Sequence, residues 1–321
     1  MPQPLRAPAS SSPLSFSERL AGIHAATIVP MRGADFALDL PALERHLHAV
    51  ATRPGIRGLL LNGHAGENFV LDRAEKVAVI EAARRVVPEG CLLVSGVNAE
   101  SSLEAAREAA AFERAGADGL LVFPPNSWAL GHDPECVMLH HRTVAAATSL
   151  PLMLYGAPVG AGAMAYDAAT LRRLAGIEQV VAIKEGSWEV AQYEANLRLL
   201  TGLRADFKVL GSGDEHLLTS YLIGSVGSQV SLAAVVPDLV AALWAAAEAG
   251  DWAQARQLHE TLYPLAVAIY RDAPGGRATA RLKHALHHLG AIPDPCLRPP
   301  QPPLDAGERG RVEEALHLAL A

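Results

Sequence analysis

Lysine is scarce in this chain. Its 321 residues hold only Lys76, Lys184, Lys208 and Lys283. Lysine and arginine together number 27 against 34 acidic residues, a net charge of −7 with both signs interspersed. That balance lacks the basic footprint a nucleic acid or an anionic membrane surface requires. Cysteine is limited to Cys91, Cys136 and Cys296, widely spaced and without a CxxC pair. A disulfide framework and a zinc site are therefore disfavoured, and a reducing compartment fits. No unbroken apolar run approaches the roughly 18 residues a membrane helix needs. Residues 1–18 are rich in Pro and Ser but have no apolar core, so they read as a loose arm, not a secretory signal. These absences point to a soluble cytoplasmic protein.

What is present is a rhythm. Short apolar stretches at 23–29, 56–61, 91–95, 119–123, 151–155, 180–184, 207–210 and 226–230 read as strands, and an amphipathic segment follows each. Asp39 with Pro41, and Asp72 with Glu75, mark helix starts. Strands apolar on both faces suit a buried parallel sheet. Eight strand–helix units, repeating about every 30 residues, predict an α/β fold of the (β/α)8 TIM barrel type. An open doubly wound sheet would bring a Gly-rich phosphate loop after its first strand, and Val29-Pro30-Met31-Arg32 is not one. The Gly160-Ala161-Gly162 and Gly211-Ser212-Gly213 pairs lack a third glycine and support no dinucleotide site. Residues 1–20 are read as the arm, 21–248 as the barrel, and 249–321 as a C-terminal helical extension that caps the barrel, makes an oligomer contact, or does both.

In such a barrel, chemistry sits at the C-terminal ends of the strands. Lys184, after Val180-Val181-Ala182-Ile183, is the one lysine at that rim. Lys208 falls at the opposite end of a strand, while Lys76 and Lys283 fall in helices and read as solvated. A lysine aimed into an apolar interior is held neutral by burial, and a neutral amine attacks carbonyl carbon to form a Schiff base. Tyr155 ends the preceding strand at the same level and can relay the proton that carbinolamine dehydration requires. Gly63-His64-Ala65-Gly66 can turn successive backbone N–H groups toward one carboxylate. His64 in that loop is a candidate proton donor or acceptor near pH 7. Glu67 and Glu185 are read as supporting hydrogen-bond residues. His284 and His288, four apart on a late helix, read as a solvated face.

Taken together, Gly63-x-x-Gly66-Glu67, Tyr155, Ile183-Lys184 and Gly211-Ser212-Gly213-Asp214 resemble the dihydrodipicolinate synthase / N-acetylneuraminate lyase superfamily. The resemblance runs from about residue 23 to the C-terminal helices. It implies a class I aldolase mechanism with pyruvate or another 2-oxo acid bound as a Schiff base to Lys184. It further implies Tyr155 as proton relay, and a substrate site formed by Gly63, His64, Ala65, Gly66 and Gly213, with the carboxylate held by the N–H groups of His64 and Ala65. No metal or organic cofactor is implied, because the protonated imine is the electron sink. A homotetramer built as a dimer of dimers is the implied assembly.

The motifs also depart from the synthase. His64-Ala65 stands where the synthase has Thr-Thr. Pro124-Pro125-Asn126-Ser127-Trp128 offers no second relay tyrosine, and residues 156–162 contain no arginine for an aldehyde's carboxylate. Pro124-Pro125 and Lys184-Glu185-Gly186 resemble instead the sugar-acid dehydratases of the superfamily. The sequence therefore predicts a lyase that cleaves or dehydrates a 2-oxo acid, by aldolase or dehydratase chemistry. The alternatives are a non-catalytic 2-oxo-acid-binding homologue and dihydrodipicolinate synthase proper.

Overall fold

The computed structural model describes residues 14–272 and 275–321. Eight parallel strands close into one barrel: β1 (Gly22–Ala26), β2 (Ile56–Leu61), β3 (Leu92–Val97), β4 (Gly119–Val122), β5 (Leu152–Gly156), β6 (Val180–Glu185), β7 (Lys208–Gly211) and β8 (Gly227–Val230), with β8 pairing back to β1. Helices follow the strands and form the outer ring.

Strand alternation divides the core in two. One face of the strands fills the barrel interior with Leu60, Val94, Leu121, Met153, Ala182 and Leu210. The other face, carrying Leu59, Leu93, Leu120, Leu154 and Ile183, packs under the helices. Apolar residues at most strand positions satisfy both layers, which is why stretches such as Leu59–Leu61, Leu92–Val94 and Leu120–Val122 read as continuous runs. The anticipated helix starts form as capped turns: Asp39 accepts from the Ala42 N–H, and Asp72 and Glu75 make a reciprocal capping box.

Several expectations need correction. The first is the arm. Its residues 1–13 lie outside the described residues, but Phe16–Arg19 forms a capped helical turn, and the Phe16 ring packs so closely on Gly119 that a Cβ there would sit 2.4 Å from it. The second is the long helix expected over 252–270. It is α-helical only through Ala266 and widens into a π-helical turn at Val267–Arg271. Pro264 lies inside it and has no N–H for the i−4 carbonyl, which loosens this end. The third concerns Lys76 and Lys283, which are buried instead of solvated. Lys76 Nζ meets Glu108 Oε1 at 2.5 Å and donates to the Asn98 carbonyl at 3.1 Å. Lys283 pairs with Glu67 and donates to the Cys296 carbonyl at 2.7 Å. His284 is likewise buried against Glu313 (2.8 Å), whereas His288 stays exposed.

Among the described residues, no helix is long and apolar enough to cross a membrane. The helix Ala278–His288 folds back over the C-terminal mouth of the barrel and packs on the His64–Gly66 turn.

Candidate active site

β6 delivers Lys184 to the inside of the barrel mouth, and β5 sets Tyr155 directly opposite it in register. Both side chains line a cavity of about 110 Å³. Lys184 is 9% exposed. Burial pushes its amine down to about 8, with Asp214 opposing the shift. Asp214 comes from the turn after β7, and burial raises its carboxyl to about 7 against the pull of the Leu232 N–H (2.8 Å) and of Lys184. The two groups thus approach each other in proton affinity across a shared cavity. Burial, and secondarily Glu185, raise the Tyr155 phenol to about 12, which keeps it protonated at neutral pH.

The glycine loop forms a 3-10 turn, His64–Gly66, that opens beside Lys184, with His64 and Ala65 lining the cavity. The first N–H groups of such a turn are not used by its own bonds. The flanking Gly63 and Gly66 shape the turn without lining the cavity. The His64 ring stacks between Phe69 and Phe123, with centroids at 4.7 and 4.4 Å, and meets the Tyr155 ring edge-on at 5.1 Å. Phe123 can lie inside the barrel because residue 96 is glycine; a Cβ there would come within 2.8 Å of its ring. Burial among these rings, reinforced by Lys184, drives His64 down to about 3. The imidazole is therefore neutral through the physiological range and does not titrate near pH 7, contrary to its reading from sequence.

Behind this loop, the C-terminal helices act as a brace. Thr279 donates to the His64 carbonyl (3.3 Å), Lys283 pairs with Glu67, and the Arg298 side chain donates to the Val70 carbonyl (2.7 Å). Glu67 occupies a left-handed conformation, φ 56°, which the buried lysine and its neighbours hold in place. Glu185 points away from the axis, as alternation requires, and accepts from Asn196 Nδ2 (2.9 Å) and Ser187 Oγ (3.0 Å).

Gly213 does not line the Lys184 cavity. It borders a smaller neighbouring one, and its chain neighbours Ser212 and Asp214 face the lysine instead. Sequence reasoning also passed over Gln229, Ser231, Tyr270 and Thr279, all of which line the cavity. Tyr270 rides on the π-helical turn, packs on Trp188 at 5.5 Å, and faces Asp214 and Ser231. Its only local signal was the Pro264 that disturbs the helix. Gln229 carried one, a large polar side chain in the short strand Gly227–Val230.

Residues 19–319 match the Dihydrodipicolinate synthetase family. The 4-hydroxy-tetrahydrodipicolinate synthase 1 of Streptomyces coelicolor is 33% identical over 284 residues, 88% of each chain. The 4-hydroxy-tetrahydrodipicolinate synthase of Moorella thermoacetica is 33% identical over 269 residues, 83% of this chain and 87% of that one. The crystal structure of dihydrodipicolinate synthase from Agrobacterium tumefaciens superimposes with a TM-score of 0.85 at 28% identity, over 95% of this chain and all of that one. A monomeric dihydrodipicolinate synthase variant shares the fold, with a TM-score of 0.84 at 23% identity over 96% of this chain and 99% of that one.

Proposed function

The chain belongs to the dihydrodipicolinate synthetase family, and we propose that it is a class I aldolase-type lyase whose Lys184 forms a Schiff base with a pyruvate-type 2-oxo acid. The observation that carries this reading is a buried amine, lowered to about 8, in a cavity shared with Tyr155 and Asp214. At pH 7 roughly one such amine in ten is already neutral. Asp214 takes the proton the amine gives up, and the neutral amine adds to C2 of the substrate. Tyr155 passes a proton to the carbonyl oxygen, which leaves as water. The substrate carboxylate lies against the N–H groups of His64 and Ala65 in the turn braced by Thr279 and Lys283.

Within this class the synthase reading comes first. The curated relatives described above are named 4-hydroxy-tetrahydrodipicolinate synthase, which supports condensation of bound pyruvate with aspartate semialdehyde over the cleavage or dehydration expected from the sequence departures. The second reading, cleavage or dehydration of a sugar-derived 2-oxo acid, is favoured by two observations. Residues 156–162 carry no cation, and Ser212, Ser231 and Thr279 line the cavity with hydroxyls. A homotetramer is proposed on the family resemblance, and a cytoplasmic location on the cysteine usage and composition; sedimentation of the purified protein tests the former.

The test is borohydride trapping with pyruvate followed by peptide mass spectrometry. A reduced adduct on Lys184, lost in Lys184→Ala with the fold intact, is the expected result. No adduct would favour the non-catalytic binding alternative. Consumption of aspartate semialdehyde with pyruvate separates the synthase reading from the second.

A further inference from the structure

Gln229 is fully buried, yet it lines the cavity of Lys184. Several buried side-chain atoms of the described residues lack a hydrogen-bond partner, and Gln229 Oε1 is the one among them that belongs to a residue of this cavity. β8 carries the residue inward, in register with His24 of β1. Its Nε2 reaches across the barrel to Met153 Sδ at 3.8 Å, a weak acceptor. Met153 pairs with Ala182, two residues below Tyr155 and Lys184 on their strands. The amide thus reaches from the cavity wall down to the side chain two residues below Tyr155. The side chains that fill the barrel interior include the apolar Leu60, Met153, Ala182 and Leu210, while the register partner of Gln229, His24, is a buried polar residue.

A buried amide oxygen among such groups costs free energy until a donor reaches it, and an unbranched apolar side chain would fill the same volume without that cost. The cavity that Gln229 lines is the one shared by Lys184 and Tyr155, so an adduct formed there can bring Gln229 a donor.

Resting on the Schiff-base reading, we propose that Gln229 is a catalytic residue whose Oε1 accepts a hydrogen bond from the hydroxyl at C2 of the carbinolamine and holds the water that leaves. The protons balance without a co-reactant. The Lys184 ammonium first gives one proton to Asp214. The neutral amine then adds to C2, the C–N bond forms as the C=O π bond opens, and a second amine proton reaches the oxygen through Tyr155. The resulting hydroxyl donates to Gln229. The C2–O bond then breaks as the proton held by Asp214 returns to that oxygen, water departs, and the C2=N iminium remains.

The experiment compares the full-length protein with Gln229→Met at saturating pyruvate, following adduct formation by borohydride quench and stability by thermal melting. The expected result is at least a tenfold slower rate with an equal or higher melting temperature, since the substitution removes an unsatisfied buried group. A smaller fall in rate, or a fall together with a lower melting temperature, overturns the proposal. Absence of any adduct on the unaltered protein overturns the Schiff-base reading together with this inference, and the two failures are thereby told apart.

Discussion

The rate of imine formation should follow the titration of Lys184. An exposed lysine with an ordinary pKa near 10.5 is neutral in roughly one molecule in 3,000 at pH 7. With burial bringing Lys184 to about 8, roughly one in ten is neutral, a gain of about 300-fold in nucleophile. Raising the pH from 6 to 7 should therefore speed adduct formation nearly tenfold, and from 7 to 8 about fivefold. The protein and pyruvate would be mixed at each pH, quenched into borohydride at one fixed pH, and the Lys184 peptide counted by mass spectrometry. Asp214→Asn removes the charge that opposes the shift, so the inflection should move below 8. A second readout follows from linkage. The folded pKa lies below the unfolded one, so between pH 8 and 10.5 the unfolded chain binds more protons and stability rises with pH. Below pH 8 the buried charge costs about 3 kcal/mol. Lys184→Met should then raise stability at pH 7 by about 1–3 kcal/mol and flatten the rise at alkaline pH. An inflection near 10.5, or a Lys184→Met protein less stable than the parent at pH 7, would refute the reasoning.

Other outcomes follow from the brace and the relay. Lys283→Met strands Glu67 as a buried charge and should cost about 3–5 kcal/mol in urea unfolding. Adding Glu67→Gln should recover a large part of that loss, and a loss under about 1 kcal/mol would show that the pair carries no weight. Tyr155→Phe should slow adduct formation by about 100-fold or more while leaving the final adduct on Lys184 unchanged. An unchanged rate would remove Tyr155 from the relay.

Much of the architecture was legible because its signals are local. A strand buried on both faces is apolar over most of its length, so β6 announced itself in Val180-Val181-Ala182-Ile183. Capping pairs such as Asp72 and Glu75 sit three residues apart and need no tertiary partner. The relation of Tyr155 to Lys184 also followed, because consecutive strands of a parallel barrel are neighbours and both residues end theirs. Lys76 and Lys283 were misread for the complementary reason. A helix read alone shows a polar position, but not the carboxylate on another element that makes burial tolerable: Glu108 for one, Glu67 for the other. His64 was misread because its acidity is set by Phe69, Phe123 and Lys184, and the sequence places none of these against its ring.

The sequence by itself thus determined the barrel and the placing of Lys184 and Tyr155 side by side at its mouth, since each depends on periodicity within a strand or on the order of adjacent strands. Tertiary structure alone decided the state of that lysine and the composition of its surroundings. Burial lowers its pKa, Asp214 and Tyr270 arrive from a loop and a distorted helix far along the chain, and Gln229 reaches across the barrel to Met153. Those properties arise from desolvation and from distances between remote segments, and both exist only once the barrel has closed.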